Sequence, residues 1–96
     1  MVARTSTWSG SPEAIDKWEA HVKEQVSGFV AKLPGNAGGA FFVDRAAGTA
    51  MTLTLWESEE AAAETDKFAD QSRASTVEAT GIELLDRGAF EVVLRF

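Results

Sequence analysis

Thr52, Thr54 and Trp56 occupy alternate positions of the segment TAMTLTLW, residues 49–56. In a β-strand, residues spaced by two lie on one face of the sheet. An aromatic wall with a few hydroxyl groups is typical of a small-molecule pocket, and buried hydroxyl groups need hydrogen-bond partners. The pattern therefore predicts a ligand-binding site on this strand. The alternative is that Trp56 only fills the corner between a strand and a helix.

The predicted helix after Trp56 carries a stripe of small and hydroxylated residues. At helical spacing this stripe consists of Ala61, Thr65, Phe68, Ala69, Ser72 and Ser75. Small residues opposite the threonine-bearing strand leave space between the two elements, so we add Thr65 and Phe68 to the predicted ligand-binding residues. The alternative is close packing of the helix backbone on the sheet.

Glu19 and His21 are the two side chains that we consider for acid–base catalysis. Glu19 lies near the apolar stripe of the first predicted helix, where a carboxylate under the helix would have a raised pKa and accept a proton. The alternative is a carboxylate that reaches solvent at the edge of the stripe. His21 is the only histidine, the residue type most often used for acid–base catalysis, but it lies at the flank of the stripe, which also fits a surface residue.

Composition excludes several other kinds of site. The chain has no cysteine and a single histidine, so we predict no metal site, and no cofactor-binding motif is present. The net charge of −6 and the scattered basic residues argue against nucleic acid as a partner. No apolar run is long enough for a signal peptide or for a membrane span of ~20 residues, so we expect a cytoplasmic protein without a membrane partner.

Turn and cap residues divide the 96-residue chain, which we expect to form one domain over residues 1–96, into six elements. Ser11 and Pro12 start the first helix, and Ser58 starts the second. The first helix has an apolar stripe that we expect to face the core: Ile15, Trp18, Val22, Val26, Phe29, Val30 and Leu33. We expect the second helix to fray or bend somewhere around residues 71–79 and the last strand to kink near Arg87-Gly88. The predicted strands are 2–8, 38–45, 49–56 and 82–96, and the predicted helices are 11–33 and 58–80.

The order β-α-β-β-α-β predicts an α+β fold of the ferredoxin-like type, with a four-stranded antiparallel sheet and both helices on one face. Strand 49–56 places Met51, Leu53 and Leu55 on the opposite face, where one small domain cannot cover them. We therefore predict a homodimer that pairs these apolar sheet faces.

The element order, the junction LTLWESEEAA and the closing strand RGAFEVVLRF resemble the dimeric α+β barrel superfamily, and more narrowly its antibiotic biosynthesis monooxygenase-like branch. The resemblance covers essentially the whole chain. It implies either a cofactor-independent monooxygenase or a haem-degrading enzyme, although many small proteins of this superfamily have no known activity.

The functional residues of these relatives are only partly present. Haem-degrading members resemble one another in an asparagine on the first strand, a tryptophan that ends the third and a histidine on the second helix; only the tryptophan is matched here, by Trp56. The tailoring monooxygenases have an asparagine four residues before that tryptophan, where this chain has Thr52, and a tyrosine, which this chain lacks. The resemblance therefore argues against haem degradation and leaves catalysis open.

Two functions follow from these observations. The first is binding of a small aromatic or quinol-type molecule, as in a cofactor-independent monooxygenase, with Trp56 as a cavity wall and Glu19 or His21 as the base. The second is a non-catalytic dimeric module that binds an unidentified ligand or is structural. We expect no cofactor in either case, because an electron-rich substrate can react with oxygen directly.

Overall fold

The first half of the chain forms a strand, a long helical segment and a second strand in the computed structural model, which describes all residues from Met1 to Phe96. Ser11 caps the helical segment, because its Oγ accepts a hydrogen bond from the N–H of Ala14 at 3.1 Å, and Pro12 occupies the first helical position. The elements are β1 (Val2–Ser9), α1 (Pro12–His21), a π-helical turn (Val22–Val26), α2 (Ser27–Ala31) and β2 (Asn36–Asp44).

The second half forms β3 (Thr49–Trp56), α3 (Glu59–Thr80) and β4 (Glu83–Glu91). Ser58 caps α3 by accepting a hydrogen bond from the N–H of Ala61 at 3.1 Å. Gly81 ends α3 with a φ of 74°, a left-handed conformation that favours glycine. None of the helices combines the length and the apolar character that crossing a membrane requires.

The four strands form one antiparallel sheet in the order β2-β3-β1-β4, and the helical elements cover one face of it. This arrangement confirms the predicted ferredoxin-like fold. The core between helices and sheet contains Trp8, Ile15, Trp18, Val22, Val26, Ala50 and Ile82.

Three local expectations are wrong. The first helix is interrupted by the π-helical turn, and α3 runs to Thr80 without the bend expected at 71–79. The irregularity in β4 lies at Leu85, because Thr7 pairs with Asp86 while Trp8 pairs with Leu84. We had expected it near Arg87-Gly88, two to three residues further along the strand.

Candidate functional site

A cavity of about 480 Å³ lies between the sheet and the helices, a volume within the ordinary range for small-molecule sites. The strands β1 and β3 supply its floor, and α1, the π-helical turn, α2 and α3 enclose it. All five residues that the sequence predicted as ligand contacts line this cavity: Thr52, Thr54, Trp56, Thr65 and Phe68.

The floor of the cavity carries a polar patch of four side chains, Arg4, Ser6, Thr52 and Thr54. In the sheet, Arg4 lies opposite Thr54 and Ser6 lies opposite Thr52, and each pair is directly adjacent across β1 and β3. The hydroxyl groups of Ser6 and Thr52 make no hydrogen bond within the protein, although Ser6 is only 4% exposed. The patch therefore offers hydrogen-bonding groups to a molecule in the cavity.

Aromatic side chains close both ends of this polar patch. Trp56 lies at one end of the floor, opposite Val2, and Trp8 lies at the other, opposite Ala50. Trp18 from α1 packs near Phe41 of β2, with the ring centroids 6.3 Å apart, and both line the cavity. The site therefore combines flat apolar walls with a polar centre, which suits a planar molecule that carries oxygen atoms.

Trp56 is both a corner residue and a cavity wall. Its side chain is 4% exposed, and its indole Nε1 donates a hydrogen bond to Thr54 Oγ1 at 3.0 Å. At the same corner, the N–H of Glu57 donates to the carbonyl of Gly35 at 2.8 Å, which joins the end of β3 to the start of β2. These contacts fix the indole at the edge of the cavity.

The helix α3 contributes hydroxyl groups whose protons are already bound. Thr65 Oγ1 donates to the carbonyl of Ala62 at 2.9 Å, and Thr76 Oγ1 donates to the carbonyl of Ser72 at 2.8 Å. Both threonines are buried and line the cavity. The hydroxyl protons of these two buried threonines are therefore not available to a ligand.

The rim of the cavity is aromatic and charged. Phe29 of α2 and Phe68 of α3 meet edge to face, with ring centroids 6.2 Å apart, and are 49% and 36% exposed. We had expected Phe29 to be a core residue. Nearby, Asp70 pairs with Arg73 and, at 3.1 Å, with Arg87.

Glu19 lies outside the cavity. Its carboxylate is bound by Lys23 at 3.2 Å and by Arg45 at 2.6 Å. The Lys23 ammonium, and then the Arg45 guanidinium, hold the pKa of Glu19 below its usual value of 4.5. The expectation of a carboxylate under the helix with a raised pKa is wrong, and the alternative of a carboxylate at the solvent edge describes its position.

His21 ends α1 and is half-buried, but it does not line the main cavity. It borders a surface groove beside Gln25 of the π-helical turn, and this groove adjoins the main cavity because Phe29 and Phe68 line both. Neither side chain considered as a base therefore lines the main cavity itself.

Three residues that β1 contributes to the cavity floor were not identified from the sequence: Arg4, Ser6 and Trp8. All lie on β1 with Val2 at a spacing of two residues, which places them on one face of the strand. Since Trp8 is large and apolar, that face had to be the one under the helices. The same alternation could therefore have predicted that Arg4 and Ser6 face the cavity.

Known proteins match this chain in structure and not in sequence: no protein-family model and no curated protein matches it. A candidate antibiotic biosynthesis monooxygenase from Deinococcus radiodurans superposes with a TM-score of 0.80 at 15% identity, covering 100% of this chain and 96% of that one. The monooxygenase ActVA-Orf6 of Streptomyces coelicolor, solved with nanaomycin D, superposes with a TM-score of 0.66 at 16% identity. The match covers 99% of this chain and 91% of that one.

The chain has the fold of the antibiotic biosynthesis monooxygenase-like proteins. The heme degrader MhuD from Mycobacterium tuberculosis, solved with two hemes in its active site, shares it too, with a TM-score of 0.66 at 23% identity over 100% of this chain and 99% of that one. Proteins with this fold therefore include a monooxygenase and a heme degrader, so the fold is compatible with more than one chemistry.

Proposed function

We propose that this protein binds a planar aromatic molecule of the quinone or quinol type in the cavity between helices and sheet. The observation that carries the proposal is the cavity itself, which has about 480 Å³, tryptophans at both ends and a polar patch on its floor. A molecule of three fused rings fits such a volume. The monooxygenase ActVA-Orf6, solved with nanaomycin D, supports this choice of ligand.

Ligand binding is tested by titrating the protein with anthraquinone and anthrone while following tryptophan fluorescence. All three tryptophans, Trp8, Trp18 and Trp56, line the cavity, so a bound quinone quenches the emission. Saturation at one ligand per chain is expected. Ala69→Phe adds a ring to the cavity and should weaken binding at least ~10-fold, which corresponds to about 1.4 kcal/mol.

The matched control is Ala63→Phe, on an exposed position of the same helix. It adds the same ring outside the cavity and should leave the affinity unchanged. Equal affinities in both variants, or no saturable quenching of the wild-type protein, would refute a ligand site in this cavity.

We propose cofactor-independent monooxygenation as the activity to test on a bound ligand. In that reaction, an anthrone that has lost a proton transfers an electron to O₂, and the two radicals combine into a peroxide. Loss of water then converts the CH₂ group into a carbonyl, so one oxygen atom enters the product and the other leaves as water. The protein would orient the substrate and exclude water.

Oxygen uptake decides between this activity and a non-catalytic binding module. The positions of Glu19 and His21 favour the second, because Glu19 is held by Lys23 and Arg45 and neither side chain lines the main cavity. Consumption of one O₂ per anthrone, faster than in buffer and reduced in Ala69→Phe, supports monooxygenation. Saturable binding without accelerated uptake supports the binding module. Haem oxidation is not proposed, because no histidine lines the cavity.

We also propose a homodimer that buries the face of the sheet opposite the helices. That face is apolar and open: Phe42, Met51 and Phe90 are 50%, 37% and 57% exposed, and Leu53 and Leu55 between them are half-buried. Such a patch on a soluble chain marks an interaction surface. Sedimentation velocity should give twice the mass of one chain.

A further inference from the structure

Three buried nitrogen atoms near the cavity have no hydrogen-bond partner: Nε of Arg4, Nε1 of Trp8 and Nε1 of Trp18. All three side chains line the cavity. Buried polar atoms in proteins nearly always have a partner, so an orphaned group calls for an explanation. All three atoms are hydrogen-bond donors, and no buried side-chain acceptor is left unpaired. A molecule that completes their hydrogen bonding must therefore bring acceptor atoms into the cavity.

Arg4 also lacks a countercharge. No carboxylate lies within 4 Å of its guanidinium, whereas the other two arginines at the cavity, Arg73 and Arg87, both pair with Asp70. A half-buried cation without a partner is costly, because the protein interior solvates it poorly. The remaining cavity carboxylates, Asp66 and Asp86, are exposed side chains at the rim and make no ion pair with Arg4.

The neighbours of Arg4 on the sheet are donors as well. Thr54, directly opposite Arg4, accepts its hydrogen bond from Trp56, so its own hydroxyl proton is free to be donated. Ser6 and Thr52, one pair further along the strands, have unpartnered hydroxyl groups. The floor therefore presents a guanidinium next to several hydroxyl donors, which is the arrangement that binds an anionic oxygen.

We propose that the ligand is an aromatic anion whose carboxylate or ionised enol oxygen is bound by Arg4 on the cavity floor. This inference rests on the proposed function, because it assigns a charge to the ligand of that same cavity. The anionic oxygen supplies the acceptor and the countercharge that Arg4 lacks, and the ring system lies between the tryptophans. A bound enolate would also need no protein base, since Arg4 stabilises the ionised form.

The test compares two probes of the same shape, 9,10-anthraquinone-2-carboxylate and its neutral carboxamide, by calorimetric titration. The wild-type protein should bind the carboxylate more tightly. Arg4→Met should weaken carboxylate binding by roughly 10- to 150-fold, the range expected for a lost hydrogen bond to a charged group. It should change carboxamide binding less than about twofold, because the ring contacts remain.

Two further variants make this comparison specific. Arg45→Met removes a positive charge that lies outside the cavity and should leave the affinities for both probes unchanged. Arg4→Lys keeps the charge and should retain a preference for the carboxylate. Circular dichroism of each variant establishes that it is folded before titration.

The outcomes separate this inference from the proposed function. If both probes bind the wild-type protein equally, or if Arg4→Met weakens both equally, the ligand site stands and the anionic ligand is refuted. If neither probe binds the wild-type protein while the protein is folded, the proposed aromatic site is refuted together with this inference. A carboxylate preference that is lost only in Arg4→Met supports both.

Discussion

Trp56 and Thr54 form the only side-chain hydrogen bond on the cavity floor, from indole Nε1 to Oγ1 at 3.0 Å. The bond leaves Trp56 with no unsatisfied polar atom, unlike Trp8 and Trp18, whose Nε1 atoms have no acceptor. Trp56 is therefore fixed by the protein itself, while the other two indoles are left with hydrogen-bonding capacity. Trp56 is therefore a structural part of the cavity wall, whereas the indole N–H groups of Trp8 and Trp18 can donate hydrogen bonds to a ligand.

Replacing Thr54 by valine tests how strongly this bond holds the corner. Thr54→Val keeps the shape but leaves the buried indole N–H without an acceptor, at a cost of about 1–3 kcal/mol in the free energy of unfolding. In a Trp56→Phe background the same substitution should cost much less, because no N–H remains. Urea denaturation of the four proteins gives the coupling energy; additive costs would mean that the bond contributes nothing to stability.

The ion pairs of Glu19 predict a dependence of stability on pH. The pKa of Glu19 is lower in the folded protein than its usual 4.5, so its contribution is complete at neutral pH and is lost as the pH falls through the folded-state pKa. Glu19→Gln should therefore lower the urea midpoint at pH 7. The difference in urea midpoint between this variant and the wild-type protein should disappear below pH 4.5.

The control for this experiment is Glu24→Gln, on an exposed residue of the π-helical turn that makes no ion pair. It removes a carboxylate of the same kind from the same helical segment and should leave the midpoint nearly constant at both pH values. If the urea midpoints of Glu19→Gln and the wild-type protein still differ in acid, the effect does not come from the ion pairs with Lys23 and Arg45.

Among the elements, α3 depends on its first turn, because it is the less apolar of the two helical segments and has only Ala62, Thr65, Thr76 and Thr80 buried. Ser58→Ala removes the side-chain bond to the N–H of Ala61 and should destabilise the protein by about 1 kcal/mol. Ser75→Ala, on an exposed position within α3, should be neutral or slightly stabilising, since alanine is the better helix former. Thermal unfolding of the two variants measures the difference. Equal melting temperatures would mean that the hydrogen bond from the Ala61 N–H to Ser58 does not stabilise α3.

The positions of buried residues within the strands and helices were only partly predictable from sequence patterns. Alternation in TAMTLTLW predicted which face of β3 lies under the helices, because a regular strand places successive side chains on opposite faces of the sheet. Helical periodicity placed Ile15, Trp18, Val22 and Val26 in the core for the same kind of reason. Phe29 was misplaced because the π-helical turn winds more loosely than an α-helix and shifts the stripe beyond it, and no residue pattern marks such a turn.

The site was predicted less completely than the fold. Residues near Trp56 were found because they share its strand or the next helix, whereas Arg4 reaches the site through strand pairing between β1 and β3. A single basic residue in a strand with threonines and serines has an ordinary surface composition. Its role becomes visible only once the absence of any carboxylate near it is known, and that is a property of the folded chain.

In the whole molecule, the two faces of the sheet differ in how they are covered. The helices close one face over a cavity, while the other face exposes Phe42, Met51 and Phe90. The C-terminal segment also exposes apolar side chains, those of Val93, Leu94 and Phe96. Only 15 of the 96 residues are buried within one chain, which is a small core for a stable domain. We therefore expect association to supply a substantial part of the stability.

If two copies pair through this face, the melting temperature must rise with protein concentration, because mass action favours the folded dimer. Met51→Asp places a charge at the centre of the face, next to Leu53 and Phe42, and should give a monomer whose melting temperature is lower and independent of concentration. Ala63→Asp adds the same charge at an exposed position of α3 and should keep the dimer and its concentration dependence. Differential scanning calorimetry over a hundredfold range of concentration, with sedimentation velocity alongside, measures both properties. A wild-type melting temperature that does not change over this range, together with the mass of a single chain, would exclude the sheet-to-sheet dimer and leave the apolar face for a different protein.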